Sequence, residues 1–123
     1  IDRLVKQRGL STILVSHALG MVRQMTDRAY VLYAGDIMEE ARTSELFDHP
    51  AHPYTSLLIS SAPKISTREI GEGIRGKLPD YRSPPIGCRF APRCPYAMDK
   101  CHTIKPKRTI INTDHAVTCH LYE

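Results

Sequence analysis

No run in the sequence approaches the roughly 18 to 20 consecutive apolar residues that a membrane-spanning helix requires, which excludes a helical span within it. An initiator methionine is also missing. The chain opens Ile1-Asp2-Arg3-Leu4, without the pattern of a signal peptide, so it is expected to start mid-domain and to stay in the cytosol. There is no G-x-x-x-x-G-K-S/T phosphate loop, and no strand ending in the Asp-Glu pair that positions magnesium and water. Standing alone, the chain is therefore not expected to hydrolyse ATP. No internal repeat is present. Cysteine is absent from the first 87 residues, and lysine and arginine are absent from the last 15. At 123 residues the chain can bury only a limited core, one compact unit plus an appendage.

What charge there is falls in a block. Residues 1–63 carry 6 Lys/Arg against 7 Asp/Glu, residues 64–108 carry 11 against 4, and the remainder carries none against 2, for a net +4. The composition changes near Pro63, where a basic, proline-bearing stretch replaces a balanced, periodic one. This divides the chain into a first segment at 1–63, a linker at 64–86 and a cysteine-bearing tail at 87–123.

Within the first segment, Ile1, Leu4 and Val5 have helical spacing, with Gly9 in the place of a C-cap. Residues 11–16 are β-branched and apolar at their centre, as in a strand of a parallel sheet covered on both faces. Leu19, Val22 and Met25 return to helical spacing, and residues 28–33 to strand character. Ala34-Gly35-Asp36 then predicts a tight turn into a second strand at 37–40. Thr43 is placed to cap a short helix ending near Asp48, and Pro53 to open another through Ser60. After Lys64 the periodicity fades, so the tail needs something other than a large apolar core to order it.

The cysteines carry the sharpest chemical signal. Cys88, Cys94, Cys101 and Cys119 follow the spacing C-x5-C-x6-C-x17-C. Four thiolates meet the requirement of a [4Fe-4S] cluster, and Pro95 after Cys94 favours the irregular backbone that wraps one. Arg89, Arg93 and Lys100 would favour the thiolate forms. Zinc stays open on the same donor set, although no tight cysteine pair is present; a pair of disulfides is disfavoured in a reducing cytosol. His102, His115 and His120 lie close enough in sequence to stand in for one ligand.

His17 follows the apolar run at 11–16, where ligands of open α/β sheets gather. The stretch from Thr12 to Val22, continued by Thr26-Asp27-Arg28 and Tyr33 to Ile37, resembles the switch region of ABC-transporter ATPases. Glu45 to Thr55 is similar to the segment after the ATPase core in the oligopeptide/dipeptide/nickel subgroup. Gly87-Cys88-Arg89-Phe90-Ala91-Pro92-Arg93-Cys94-Pro95, with its later cysteines, resembles that subgroup's C-terminal extension.

The resemblance implies an α/β fold: the C-terminal part of an ABC-type P-loop nucleotide-binding domain, followed by a small irregular Cys-rich extension. It implies that His17 contacts the γ-phosphate of ATP bound with Mg2+ and helps hold the attacking water. Ala18 departs from the aspartate usual after that histidine, which bears on local hydrogen bonding. The cysteines would hold a [4Fe-4S] cluster, with Zn2+ as the alternative. The missing phosphate loop, LSGGQ-like signature and glutamine loop all precede the switch histidine in the family, so an N-terminal truncation would account for them together. Implied partners are two transmembrane permease subunits, a homologous second ATPase subunit or a second copy, and indirectly a peptide-binding protein. The implied location is the cytoplasmic face of the bacterial membrane, and the implied solute an oligopeptide, a dipeptide or nickel.

Competing features weigh less. Gly71 to Gly76 matches G-x-G-x-x-G without a convincing strand before it or a helix after it, and reads as flexible linker. His49 and His52 are three apart, but Pro50 and Pro53 favour a rigid turn before a helix over a metal half-site. A free-standing zinc or iron-sulfur module is a second reading of the chain. A basic nucleic-acid-binding domain is a third, weakened by the wide spacing of Tyr81, Phe90 and Tyr96.

Overall fold

The computed structural model describes residues 7–62, 73–80 and 82–123. Much of the first helix expected from the sequence and part of the linker thus lie outside the described residues. Gln7 and Arg8 are helical and Gly9 has a φ of 62°, the left-handed geometry of a helix end.

Residues 11–16 correct the sequence expectation. They form no strand, and Ile13 and Val15 are 97% and 92% exposed. A strand exists through its ladder, and among the described residues no strand runs alongside this segment. The first helix after it, α1 (Leu19–Met25), ends where the Thr26 side chain donates to the Val22 carbonyl at 2.8 Å.

Strands β1 (Arg28–Tyr33) and β2 (Asp36–Arg42) form an antiparallel hairpin. Ala34 and Gly35 both have positive φ, 51° and 89°, as a two-residue type I′ turn requires. β1 alternates cleanly, with Ala29, Val31 and Tyr33 facing inward. In β2 the register slips: Val31 pairs with Glu39 and Leu32 with Ile37, leaving Met38 as an extra residue. That bulge lets Met38 and Glu39 both be buried, where strict alternation would expose one of them.

Two helices follow, α2 (Thr43–Asp48) and α3 (Pro53–Ser60). Thr43 is the first residue of α2 rather than its cap, and its hydroxyl meets that of Thr26 at 2.9 Å. α3 opens as the sequence indicates: Pro53 needs no amide donor there, and His52 caps it by accepting the Tyr54 N–H on Nδ1 at 3.0 Å.

The tail holds more regular structure than its composition suggests. It contains α4 (Asp99–Thr103) and an antiparallel hairpin of β3 (Arg108–Asn112) and β4 (His115–Thr118). β4 pairs with β2, giving one sheet in the order β1-β2-β4-β3. The turn is supported by Asn112, whose side-chain oxygen accepts the Asp114 N–H. The first and last segments of the chain therefore share one sheet.

Two apolar clusters pack against it. One joins Tyr33 and Met38 to Cys88, Phe90, Ala91 and Cys101; the other joins Ala29, Val31, Ala41 and Leu46, and Tyr54 touches both. Phe90 is fully buried and meets Tyr33 edge-on, with ring centroids 5.2 Å apart.

Candidate functional site

The four cysteines come from separate pieces of the tail. Cys88 precedes a short 3-10 turn, Cys94 follows it, Cys101 lies on α4, and Cys119 follows β4. Gly87 allows two of these pieces to touch: a Cβ there would run into the Cys101 carbonyl, which accepts the Cys88 N–H at 2.8 Å. Cys88, Cys101 and Cys119 are buried, Cys94 is partly so, and all are free thiols.

Burial dominates the chemistry of these thiols. Burial, followed by smaller effects that include the negative charges of the other three thiolates, pushes the Cys119 thiol up to about 11. Burial also raises Cys88 and Cys94, and each feels the charge of neighbouring cysteines. Backbone amides oppose this. The backbone at Phe90 and Ala91 lowers Cys88, that at Tyr96 lowers Cys94 and that at Leu121 lowers Cys119, each by less than burial raises it. The Met98 N–H reaches the Cys101 sulfur at 3.4 Å. Among the described residues, no three His, Cys, Asp or Glu side chains already stand in an array ready to hold one metal ion. The four cysteines are a donor set in the sequence and not an assembled site among the described residues.

The basic side chains beside the cysteines serve another purpose than the sequence implied. Arg89 bonds the Ala34 carbonyl and pairs with Asp36 at 3.1 Å. Arg93 donates to the Ile74 and Arg75 carbonyls and to the Tyr33 hydroxyl. Lys100 lies 4.0 Å from Glu123. Lys105 and Arg108 are likewise paired, with Asp36 and Glu40. Much of the basic block is therefore engaged within the chain, which weakens the nucleic-acid reading.

Two of the three histidines considered as substitute ligands have partners within the chain. His120 meets Glu123 through Nδ1 at 2.6 Å and the Ile104 carbonyl through Nε2 at 2.9 Å. His115 Nε2 lies 2.6 Å from Glu39, while His102 is exposed.

Sequence reasoning missed Glu39. Its buried carboxylate accepts from the amides of Ala51 and His52, at 2.7 and 2.9 Å, and from His115. It therefore ties β2 to the loop before α3 and to the tail. The available signal was a pair of glutamates inside an otherwise apolar strand, Ile37-Met38-Glu39-Glu40. Beside it, burial pulls His52 down to about 4, a shift that the Glu39 charge only partly offsets.

His17 lies exposed at the bend leading into α1. Just before it, the Ser16 hydroxyl accepts the Ala18 N–H at 3.0 Å, a bond that the usual aspartate in place of Ala18 would not be needed to make. No helix among the described residues is long and apolar enough to cross a membrane.

A family model described as the C-terminal region of oligopeptide/dipeptide transporters matches residues 38–101. The chain is 43% identical over 122 residues to oligopeptide transport ATP-binding protein AppD of Bacillus subtilis, covering 98% of this chain and 37% of that protein. It is 40% identical over 119 residues to a putative peptide import ATP-binding protein of Brucella abortus, covering 97% of this chain and 35% of that one. Dipeptide transport ATP-binding protein DppD of Bacillus subtilis is also 40% identical, over 96% of this chain and 36% of its own length. The chain thus spans under two-fifths of the length of these relatives.

Proposed function

Because the chain belongs to the oligopeptide/dipeptide transporter family, matching the model of its C-terminal region, we propose that it forms the last part of the ATP-binding subunit of a peptide importer. The relatives' names associate them with ATP binding and with oligopeptide, dipeptide or peptide transport. In this reading two permease subunits and a second ATPase subunit complete the machine on the inner face of the membrane.

The observation that carries the reading is the placement of His17, exposed at the end of an extended apolar segment and held at the first bend of α1 by Ser16. Its imidazole is free to donate a hydrogen bond to a γ-phosphate oxygen and to orient the attacking water. Phosphoryl transfer depends on such placement, because charge spreads over the phosphoryl oxygens while little covalent work falls to the protein. The exposed Ile13 and Val15 fit a segment that pairs within a larger sheet in the longer protein. In the full-length subunit, His17→Ala is expected to lower ATP turnover about 100-fold or more while ATP still binds. Turnover close to that of the unaltered subunit would refute the assignment.

The tail completes the proposal. Cys88, Cys94, Cys101 and Cys119 would hold a [4Fe-4S] cluster, and a bound cluster supplies either one-electron redox chemistry or a structural brace. The reading is supported by the four cysteines of the tail, three of them buried, and by the Met98 N–H that reaches the Cys101 sulfur. Four thiolates also suit zinc, and metal analysis separates the two.

A further inference from the structure

We propose that Ser16 is a positioning residue for His17, its hydroxyl closing the bend that aims the imidazole at the γ-phosphate. The proposal rests on the reading of His17 above. Residues 11–16 form neither helix nor strand and α1 begins at Leu19, so the backbone must turn within two residues. The bend falls on His17 itself. Across it the Ser16 Oγ accepts the Ala18 N–H at 3.0 Å, a turn closed by a side chain with His17 at its centre. The direction of the imidazole follows from the backbone angles of His17, and this bond restrains them.

Among the described residues, little else fixes that bend. Ala18 stands at the N-cap of α1 with φ −86° and ψ 93°, and its methyl group can cap nothing. The Met21 and Val22 amides donate to the Ala18 carbonyl, which holds the helix after the bend and not the bend itself. No residue of α1 is buried, and Ile13 and Val15 before the bend are exposed, so packing among these residues does not aim the imidazole. The Ser16 hydroxyl is the polar contact that spans His17. Without it the imidazole spreads over orientations that miss the phosphoryl group, and a reaction that depends on placement slows. ATP binding draws on a phosphate loop, which this sequence lacks, and is left alone.

The test is steady-state ATP hydrolysis by the full-length subunit assembled in its transporter. Ser16→Ala and Ser16→Val should each lower kcat about tenfold with KM for ATP unchanged. Ser16→Thr, which has the shape of valine but keeps the hydroxyl, should stay near the unaltered subunit. With His17→Ala in place, adding Ser16→Ala should lower turnover no further, because Ser16 acts only through the imidazole. Equal losses in Ser16→Val and Ser16→Thr, or a further loss in the double variant, overturn the proposal and assign the effect to packing. Unchanged kcat in Ser16→Val beside a large loss in His17→Ala overturns it and leaves the His17 reading standing. Unchanged turnover in His17→Ala overturns both.

Discussion

Replacing His115 with alanine leaves the Glu39 carboxylate buried with only its two backbone donors. Removing one partner of a buried hydrogen bond costs about 1 to 3 kcal/mol, because the group left behind keeps its desolvation penalty. Glu45 lies 3.8 Å from the same ring and is partly exposed, so Glu45→Gln is expected to cost less than about 1 kcal/mol. Urea unfolding of the two variants tests the contrast. His52 gives a pH dependence. Its folded value near 4 lies below the value of about 6.5 of a free imidazole, so the unfolded chain takes up a proton that the folded chain refuses. This contribution is complete above about pH 6.5 and is lost as the pH falls towards 4, with a slope approaching 1.4 kcal/mol per pH unit. His52→Asn keeps a capping side chain and should flatten that slope, as unfolding curves at several pH values would show. Sequence pattern singled out His17 and the cysteines because their residue types announce chemistry. Glu39 was hidden because a bulge at Met38 breaks the period of two on which strand reading depends.

Among the elements, β1, the positive-φ turn and α3 were legible because each obeys a local rule: alternation, an Ala-Gly turn and a proline at the first helical position. The segment 11–16 was misread because its apolar character speaks of burial, whereas among the described residues no strand lies beside it and Ile13 and Val15 are exposed. The β3-β4 hairpin was missed although Asn112-Thr113-Asp114 stands between β-branched runs; the surrounding prolines and charges masked that signal. At this scale Gly87 is the critical small residue. Gly87→Ala places a methyl group against the Cys101 backbone and separates Cys88 from α4. It should cost about 1 to 3 kcal/mol as overpacking does, and lower the metal bound per chain. Metal content equal to that of the unaltered chain would show that the close approach at Gly87 is not needed by the site.

For the molecule as a whole, the tail and the β1-β2 hairpin form one structure. Phe90 enters the core beside Tyr33 and Tyr54, and β4 extends the sheet begun by β1 and β2. The tail was read from sequence as an appendage because its contacts to the hairpin, the β4-β2 ladder, the ion pairs and the Phe90 anchor, are all long-range and leave no periodic trace. The proposed cluster at the four cysteines is tested most directly by iron, sulfide and zinc analysis with a visible spectrum on protein purified without oxygen. About four irons and four sulfides per chain, with a broad visible absorption that disappears in Cys94→Ser, is the result expected for a [4Fe-4S] cluster. A colourless chain with about one zinc would contradict the cluster and keep a structural metal site; a chain with no bound metal would contradict the site itself.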